Sequence, residues 1–239
     1  MNHTHLTVLI TGGATGIGLA LAKKFYSAGN RVILAGRSKA TLAEAVHLLP
    51  NVETCVADIS LIQDRERLVA QFPDVSILIN NAGIQINAPI LESTTQDIAH
   101  ELDVNFLSPV LLTHAFLPTL IPQTTAAIVN ISSGLALVPK QSAAMYCASK
   151  AALHSFSKTL RWQLENTNVR VFEVLPPLVE TAMTEGRGKG KISPTQFADA
   201  FWVGFSSDRY EMFIGKTKLL NVINRFAPSV AEKIMRHAL

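Results

Sequence analysis

Cysteine is scarce in this chain, with Cys55 and Cys147 as its only two. Such a pair makes no disulfide framework, and no Cys/His cluster has metal-ligand spacing, so no metal is expected. Charge of one sign is also lacking. The chain has 21 Lys and Arg against 18 Asp and Glu, a net charge of +3, and the basic residues are scattered. No nucleic-acid partner is implied. Long apolar runs are missing too. The most apolar stretch, residues 102–121, contains Asp103, Asn105, Pro109, His114 and Pro118. That composition suits a buried helix rather than a membrane span. Only five residues precede the first strand-like run, with no basic and apolar leader of the secretory kind. His3 and His5 are expected to belong to a frayed polar terminus. A reduced, cytoplasmic setting fits these absences.

What the chain does have is apolar substance. Of its 239 residues, 48% are apolar and 16% charged, which excludes disorder and allows one domain with a substantial core. No internal repeat or linker divides it, so a single domain over 1–239 is expected.

Residues 6–10 form a short β-branched apolar run, read as a buried strand. Thr11-Gly12-Gly13-Ala14-Thr15-Gly16-Ile17-Gly18 follows at once, and residues 19–28 read as a helix ended by Gly29. Strand, glycine-rich turn and helix in succession give a glycine motif its meaning. Glycines admit positive φ and close backbone approach to a pyrophosphate. A helix N-terminus offers unpaired N–H groups and partial positive charge. The same cluster also suits a tight turn. The second strand, residues 31–35, ends in Gly36-Arg37-Ser38-Lys39. A carboxylate about twenty residues beyond the third glycine would hold a ribose 2′-hydroxyl. None is present here, and a guanidinium suits a 2′-phosphate, so NADP(H) is expected ahead of NAD(H).

Further strands are expected at 51–56, 75–79, 126–132, 169–175 and 210–214, with helices between them. Asp58 falls just past the third strand, where it suits either an adenine amino group or the cap of a helix at 61–72. Asn80-Asn81-Ala82-Gly83 ends the fourth strand and suits a backbone that approaches a ligand, or a tight turn. Residues 93–121 read as one long helical region, bent or adjusted near Asn105 and Pro109. Asn105, an amide in an apolar helix, is either a satisfied core group or the mark of a backbone irregularity that holds a water.

Residues 141–165 read as a helix bearing Tyr146 and Lys150, four positions apart on one face. Free tyrosine, with a pKa of about 10, is a poor acid or base at neutral pH. A neighbouring ammonium is expected to favour the phenolate and lower that value. Ser133, thirteen residues before the tyrosine, can donate to a carbonyl oxygen that Tyr146 protonates. Pro176-Pro177 ends the sixth strand. Residues 178–193 then read as a polar, glycine-rich lid with Arg187, Lys189 and Lys191. Residues 216–239 read as a basic amphipathic helical pair for core packing, subunit contact or a membrane surface.

Taken in this order, the motifs resemble the short-chain dehydrogenase/reductase family over roughly residues 6–215, with a likeness to its DltE-like branch in Leu175-Pro176-Pro177-Leu178-Val179 and the Ile214-Gly215-Lys216 tail. The resemblance implies an α/β fold: a Rossmann-type, doubly wound, seven-stranded and mainly parallel sheet with helices on both faces. It implies an NADP(H)-dependent oxidoreductase acting on a small-molecule carbonyl or secondary alcohol; the alternative for the same residues is a non-catalytic dinucleotide-binding sensor or interaction module, which would have no need of Ser133, Tyr146 and Lys150 together. Tyr146 would be the acid/base, Ser133 would orient the reacting oxygen, Lys150 would hold the nicotinamide ribose, and Asn105 would hold a relay water. The dinucleotide would lie along Gly12, Ala14, Thr15, Gly16, Ile17, Gly18, Arg37, Asp58, Ile59, Asn80, Asn81, Ala82, Tyr146, Lys150, Val179 and Thr181. A homodimer or homotetramer is implied, joined through helices near 105–121 and 142–166. One departure is Pro177, where the family usually has glycine.

Overall fold

The computed structural model describes residues 3–236. Among them are seven strands: β1 (Thr7–Thr11), β2 (Arg31–Gly36), β3 (Glu53–Val56), β4 (Ile77–Asn80), β5 (Ala126–Ile131), β6 (Val169–Leu175) and β7 (Glu211–Phe213). Every pairing is parallel, and the order is β3-β2-β1-β4-β5-β6-β7. The connecting helices are α1 (Gly16–Ser27), α2 (Lys39–Leu48), α3 (Ile62–Gln71), α4 (Thr95–Leu102), α5 (Ser108–Leu120), α6 (Ala144–Gln163) and α7 (Pro194–Ser206), with α8 (Lys216–Phe226) and α9 (Pro228–Arg236) after β7. The order reverses between β1 and β4. In open parallel sheets that reversal leaves a crevice outside the carboxyl ends of the strands.

The period-2 alternation of the strands divides the core in two. Val8, Ile10, Val32, Leu34, Phe172 and Val174 face α1, α2 and α7. Leu9, Ile33, Leu78, Ile128 and Val171 face α3, α5 and α6. Burial on both sides explains why the strands read as near-continuous apolar runs. On the first face, Phe205 is fully buried, with ring centroids 4.9 Å from Phe172, 5.3 Å from Phe201 and 5.5 Å from Phe25. The ring of His3 joins this cluster, 5.1 Å from Phe205, and its carbonyl accepts from Asn30 Nδ2 at 2.9 Å. The expected frayed terminus is therefore fastened at His3, because the aromatic cluster offers a ring edge and Asn30 offers a donor.

The long helical region is interrupted where expected. Asp103–Leu107 is a π-helical turn between α4 and α5 and carries Asn105. Such a turn inserts an extra residue into the helical ladder, and these insertions concentrate at functional sites. The tail forms the expected helical pair as far as Arg236, and residues 237–239 lie outside the described residues. The Thr217 hydroxyl of α8 donates to the carbonyl of Leu175 at 2.8 Å, and Asn224 Nδ2 donates to that of Leu137 at 3.4 Å. These contacts seat α8 beside the turn that follows Ser133. Leu219, Val222, Phe226, Val230 and Ile234 remain exposed.

Phe205→Ala removes the hub of the first core face. It is expected to cost about 3–5 kcal/mol in urea unfolding, read as a lower midpoint at unchanged slope.

Candidate active site

The site is assembled at the carboxyl ends of β1, β4, β5 and β6. Gly12 and Gly16 take φ of +61° and +52°, a left-handed conformation open to glycine. Gly18 has an ordinary φ, yet a Cβ there would lie 2.2 Å from the carbonyl oxygen of Gly12. The turn is thus folded down onto the first turn of α1. Ala14 is buried and Ile17 is half-buried against the core, while Thr15 is exposed and makes no side-chain cap. No acid stands in the first turn of α1 to compete with a phosphate. This cradle of bare backbone at a helix N-terminus fits the diphosphate of a dinucleotide.

Thr11 holds the cradle to β4. Its Oγ1 accepts from the amides of Asn81 (3.0 Å) and Ala82 (3.1 Å). Asn81 Nδ2 donates back to the carbonyls of Thr11 (3.0 Å) and Gly12 (3.1 Å). Asn81 therefore braces the glycine turn from behind. Asn80 is turned into the core, where its Nδ2 donates to Thr113 Oγ1 (3.0 Å) and Asn130 Oδ1 (2.8 Å). Its side chain does not meet the crevice, because strand alternation sends neighbouring residues to opposite sides.

At the end of β3, Asp58 Oδ1 accepts from the amide (3.0 Å) and hydroxyl (2.7 Å) of Ser60. This forms a turn ahead of α3, whose cap position is Leu61. Asp58 Oδ2 lies 3.9 Å from Nη1 of Arg37, which is exposed. Ile59 is buried, and its carbonyl accepts from Arg65 at 2.6 Å. At the other end of the crevice, Thr181 caps a short turn, with its methyl near Gly16. Val179 is buried and bridges Ile192. The ring of Pro177 packs against Gly215, and the carbonyl of Pro176 accepts from the amide of Gly134 at 3.1 Å. β6 has already ended at Leu175, so the missing N–H of Pro177 takes no bond from the sheet.

Ser133, Tyr146, Lys150 and Asn105 converge. Ser133 Oγ accepts from the amide of Leu135 at 3.1 Å and is near enough to the half-buried Tyr146 to act on its hydroxyl. Ser132, the neighbouring hydroxyl, is turned to the carbonyl of Lys150 at 3.4 Å. Lys150 is 4% exposed, and its Nζ donates to the carbonyl of Ile131 at 2.9 Å and lies 5.8 Å from the centre of the tyrosine ring. Asn105, fully buried, exchanges two bonds with the backbone of Ile84 (2.8 and 2.9 Å) and donates to Ser149 Oγ at 3.2 Å. Ser149 in turn donates to the carbonyl of Tyr146 at 2.8 Å. Ser149 and the Thr11 hydroxyl tie the site together, and neither declares itself in the sequence. A serine inside a helix usually bonds its own backbone or water.

Burial pushes Tyr146 up to about 12, against the opposing effect of the Ser133 hydroxyl, and nearby Cys147 and Glu101 add to the rise. Burial also pulls Lys150 down to about 8, opposed by the carboxylate of Glu173. The expectation that the ammonium would lower the tyrosine is corrected for this state. Desolvation of the phenolate dominates, and Lys150 Nζ is directed at a carbonyl instead.

A parallel sheet with a phosphate cradle at its switch point, and a tyrosine and lysine beside it, defines a dinucleotide-dependent oxidoreductase. A family model described as short chain dehydrogenase matches residues 6–191, and the chain belongs to that family. It is an NAD(P)(H)-dependent oxidoreductase acting on CH–OH or C=O groups. The chain is 42% identical over 233 residues to the uncharacterized oxidoreductase DltE of Bacillus subtilis (strain 168), covering 92% of this chain and 90% of that one. A short chain dehydrogenase from Burkholderia cenocepacia J2315 in complex with NADP is similar at a TM-score of 0.90 and 26% identity, with 98% and 99% of the two chains covered. A short chain dehydrogenase/reductase from Burkholderia phymatum in complex with NAD shares the fold at 0.88 and 24% identity, with 100% and 98% covered.

The depressed Lys150 has a signature in stability. Between about 8 and 10.5 the unfolded chain binds a proton that the folded chain refuses. Wild-type stability should therefore fall by up to about 3 kcal/mol as pH drops through that window, and the loss should then stay constant below 8. Lys150→Met lacks this loss. Denaturation of both proteins across the window should show the variant gaining on the wild type as pH falls, and parallel curves would contradict the assignment.

Proposed function

We propose that the protein reduces the carbonyl group of a small molecule with NADPH, Tyr146 giving the proton to the carbonyl oxygen. The observation that carries this reading is the buried Lys150, its Nζ 5.8 Å from the centre of the Tyr146 ring, beside the Ser133 turn and the phosphate cradle. With its pKa near 12, Tyr146 is a neutral phenol at physiological pH, the form of a proton donor. Ser133 orients and polarises the same oxygen. Lys150 is the group that can return a proton to the tyrosine, and Asn105 fixes the π-turn beside it. When bound, the nicotinamide supplies the hydride. The residues that would hold the dinucleotide are the glycine cradle with Thr15 and Ile17, the backbone of 80–82, Asp58–Ile59, Lys150, and Val179 with Thr181.

The preference for NADPH rests on Arg37, exposed at the end of β2 with no acid in the ribose position. The relatives named above carry both NADP and NAD, so the preference is this chain's own question. We take the chain as one domain, with 178–193 acting as a lid over the nicotinamide end. A cytoplasmic location is supported by two buried free thiols. A homodimer or homotetramer through α5 and α6 is supported by exposed Leu111 and Trp162, with Leu107 just before α5.

Tyr146→Phe is expected to lower kcat by roughly 10²- to 10⁴-fold while NADPH still binds. Retained turnover would sink the catalytic role. In fluorescence titrations, NADPH should bind more tightly than NADH. Arg37→Ala should close that gap, a loss of about 1.5–3 kcal/mol for a charged hydrogen bond. Equal binding of the two cofactors by the wild type would remove Arg37 from the site.

A further inference from the structure

The helix α8 is turned inside out. Thr217, Asn221 and Asn224 follow one another at four- and three-residue spacing, so they share one face. That polar face meets the protein. Thr217 is buried and donates to the carbonyl of Leu175, and Asn224 donates to that of Leu137. Leu219, Val222, Ile223 and Phe226 share the opposite face. Phe226 is 79% exposed, Leu219 64% and Val222 53%. A surface helix ordinarily does the reverse, burying its apolar stripe and wetting its polar one. α9 packs against α8 and adds Val230 and Ile234, one turn apart and both exposed. The amide of Gln141 donates to the carbonyl of Arg236 at 3.1 Å, which holds α9 to the body of the protein.

Cations border the apolar face. Lys218 lies four residues before Val222 and Arg225 three after it, so both stand beside it on the helix surface. Lys216 opens α8, and Lys233 precedes Ile234 in α9. α8 contains no acid. Glu232, the one acid of the helical pair, lines the cleft between α9 and residues 139–141. None of these lysines and arginines makes an ion pair among the described residues.

A contiguous apolar face left in water marks a contact with another body. A second copy of the chain, laid on this face across a two-fold axis, would bring Lys218, Arg225 and Lys233 toward the same three cations with no acid to answer them. An anionic lipid surface supplies the missing charge. There the apolar side chains enter the acyl boundary while lysine and arginine stems reach back to the phosphates. α8 has 11 residues and α9 has 9, against about 20 for a helix that spans a bilayer, so the pair can lie on a membrane but not cross it. We infer that α8 and α9 form a docking face for an anionic phospholipid surface. The face adjoins the crevice. A Cβ built on Gly190, in the loop after β6, would lie 2.6 Å from Lys216 Nζ, and one on Gly134, beside Ser133, would lie 2.5 Å from Thr217 Cγ2. Docking therefore sets the mouth of the active site near the headgroups, whatever reaction Tyr146 carries out.

The test is sedimentation of the full chain with vesicles of phosphatidylcholine alone and of phosphatidylcholine mixed equally with phosphatidylglycerol. Two double variants accompany the wild type: Val222→Ser with Phe226→Ser, and Lys218→Gln with Arg225→Gln. All four positions are exposed, and NADPH titration and thermal unfolding show that each variant is folded. The wild type should sediment with the mixed vesicles and stay in solution with phosphatidylcholine, and salt should weaken its binding. Each double variant should lower the partition into mixed vesicles by about tenfold or more. The proposal is overturned if the wild type ignores both vesicles, if it binds the two equally, or if both variants bind as it does. Light scattering without lipid reads the other occupant. If the wild type ignores vesicles and Val222→Ser with Phe226→Ser reduces its assembly to a smaller one, the face is a subunit contact and the membrane proposal falls.

Discussion

The site depends on one crowded point. A Cβ built on Gly83 would lie 3.0 Å from Asn105 Oδ1 and 3.7 Å from Lys150 Nζ. Three separate segments meet there: the exit of β4, the π-turn between α4 and α5, and the tyrosine helix α6. A side chain at position 83 would press on Asn105 Oδ1 as it reaches the backbone of Ile84, while Lys150 Nζ would sit at ordinary contact distance. Asn105 also reaches Ser149, so the register of α6 against the π-turn is set by the same amide. A shift of one element would move Tyr146 and Lys150 together, because Ser149 sits between them in the same helix.

Behind this point the sheet is polar where a parallel sheet is usually oily. Asn80, Asn130 and Glu173 stand opposite one another across β4, β5 and β6. Asn130 Nδ2 donates to Ser157 Oγ at 2.9 Å, and Glu173 Oε2 meets His154 Nδ1 at 2.7 Å. Glu173 is fully buried, and its carboxylate holds the His154 ring above its usual range. Each member of the row makes at least one bond, into α5 or α6 or to its neighbour, while Asn80 Oδ1 and Glu173 Oε1 are buried without a hydrogen-bond partner. It fixes the strand ends that carry Ser132 and Ser133, and its carboxylate favours the charged form of Lys150.

The strands were legible because burial on both faces leaves unbroken β-branched runs between glycine and proline. Asn105 was legible as an anomaly: its amide is satisfied in the core, and the backbone around it is irregular. Asn80 was not legible, since the Asn80–Asn81 pair reads as a single motif while alternation gives its two amides opposite tasks. The helix of Tyr146 begins three residues later than its lack of glycine and proline suggests, at Ala144. Residues 141–143 are instead held by a turn bond from Ala143 to Lys140 and by the long-range bond of Gln141 to Arg236 in α9. Pro177 read as a disruption, and only its packing on Gly215 after the end of β6 makes it acceptable. The clasp of His3 needed Asn30 and the α7 rings, none of them near it in the chain.

The pairing of tyrosine and lysine four apart does not by itself give an activated phenol. The same desolvation moves the two groups in opposite senses, the acid up to about 12 and the base down to about 8. Their order is therefore inverted relative to solution, where the ammonium is the weaker acid of the two. In the proposed reduction, the phenolate left by proton donation would be the more basic of the two groups, and Lys150 the one from which a proton would return. Under that proposal, burial would set the direction of proton delivery. Lys150 is 4% exposed and stands within one turn of Tyr146 on α6.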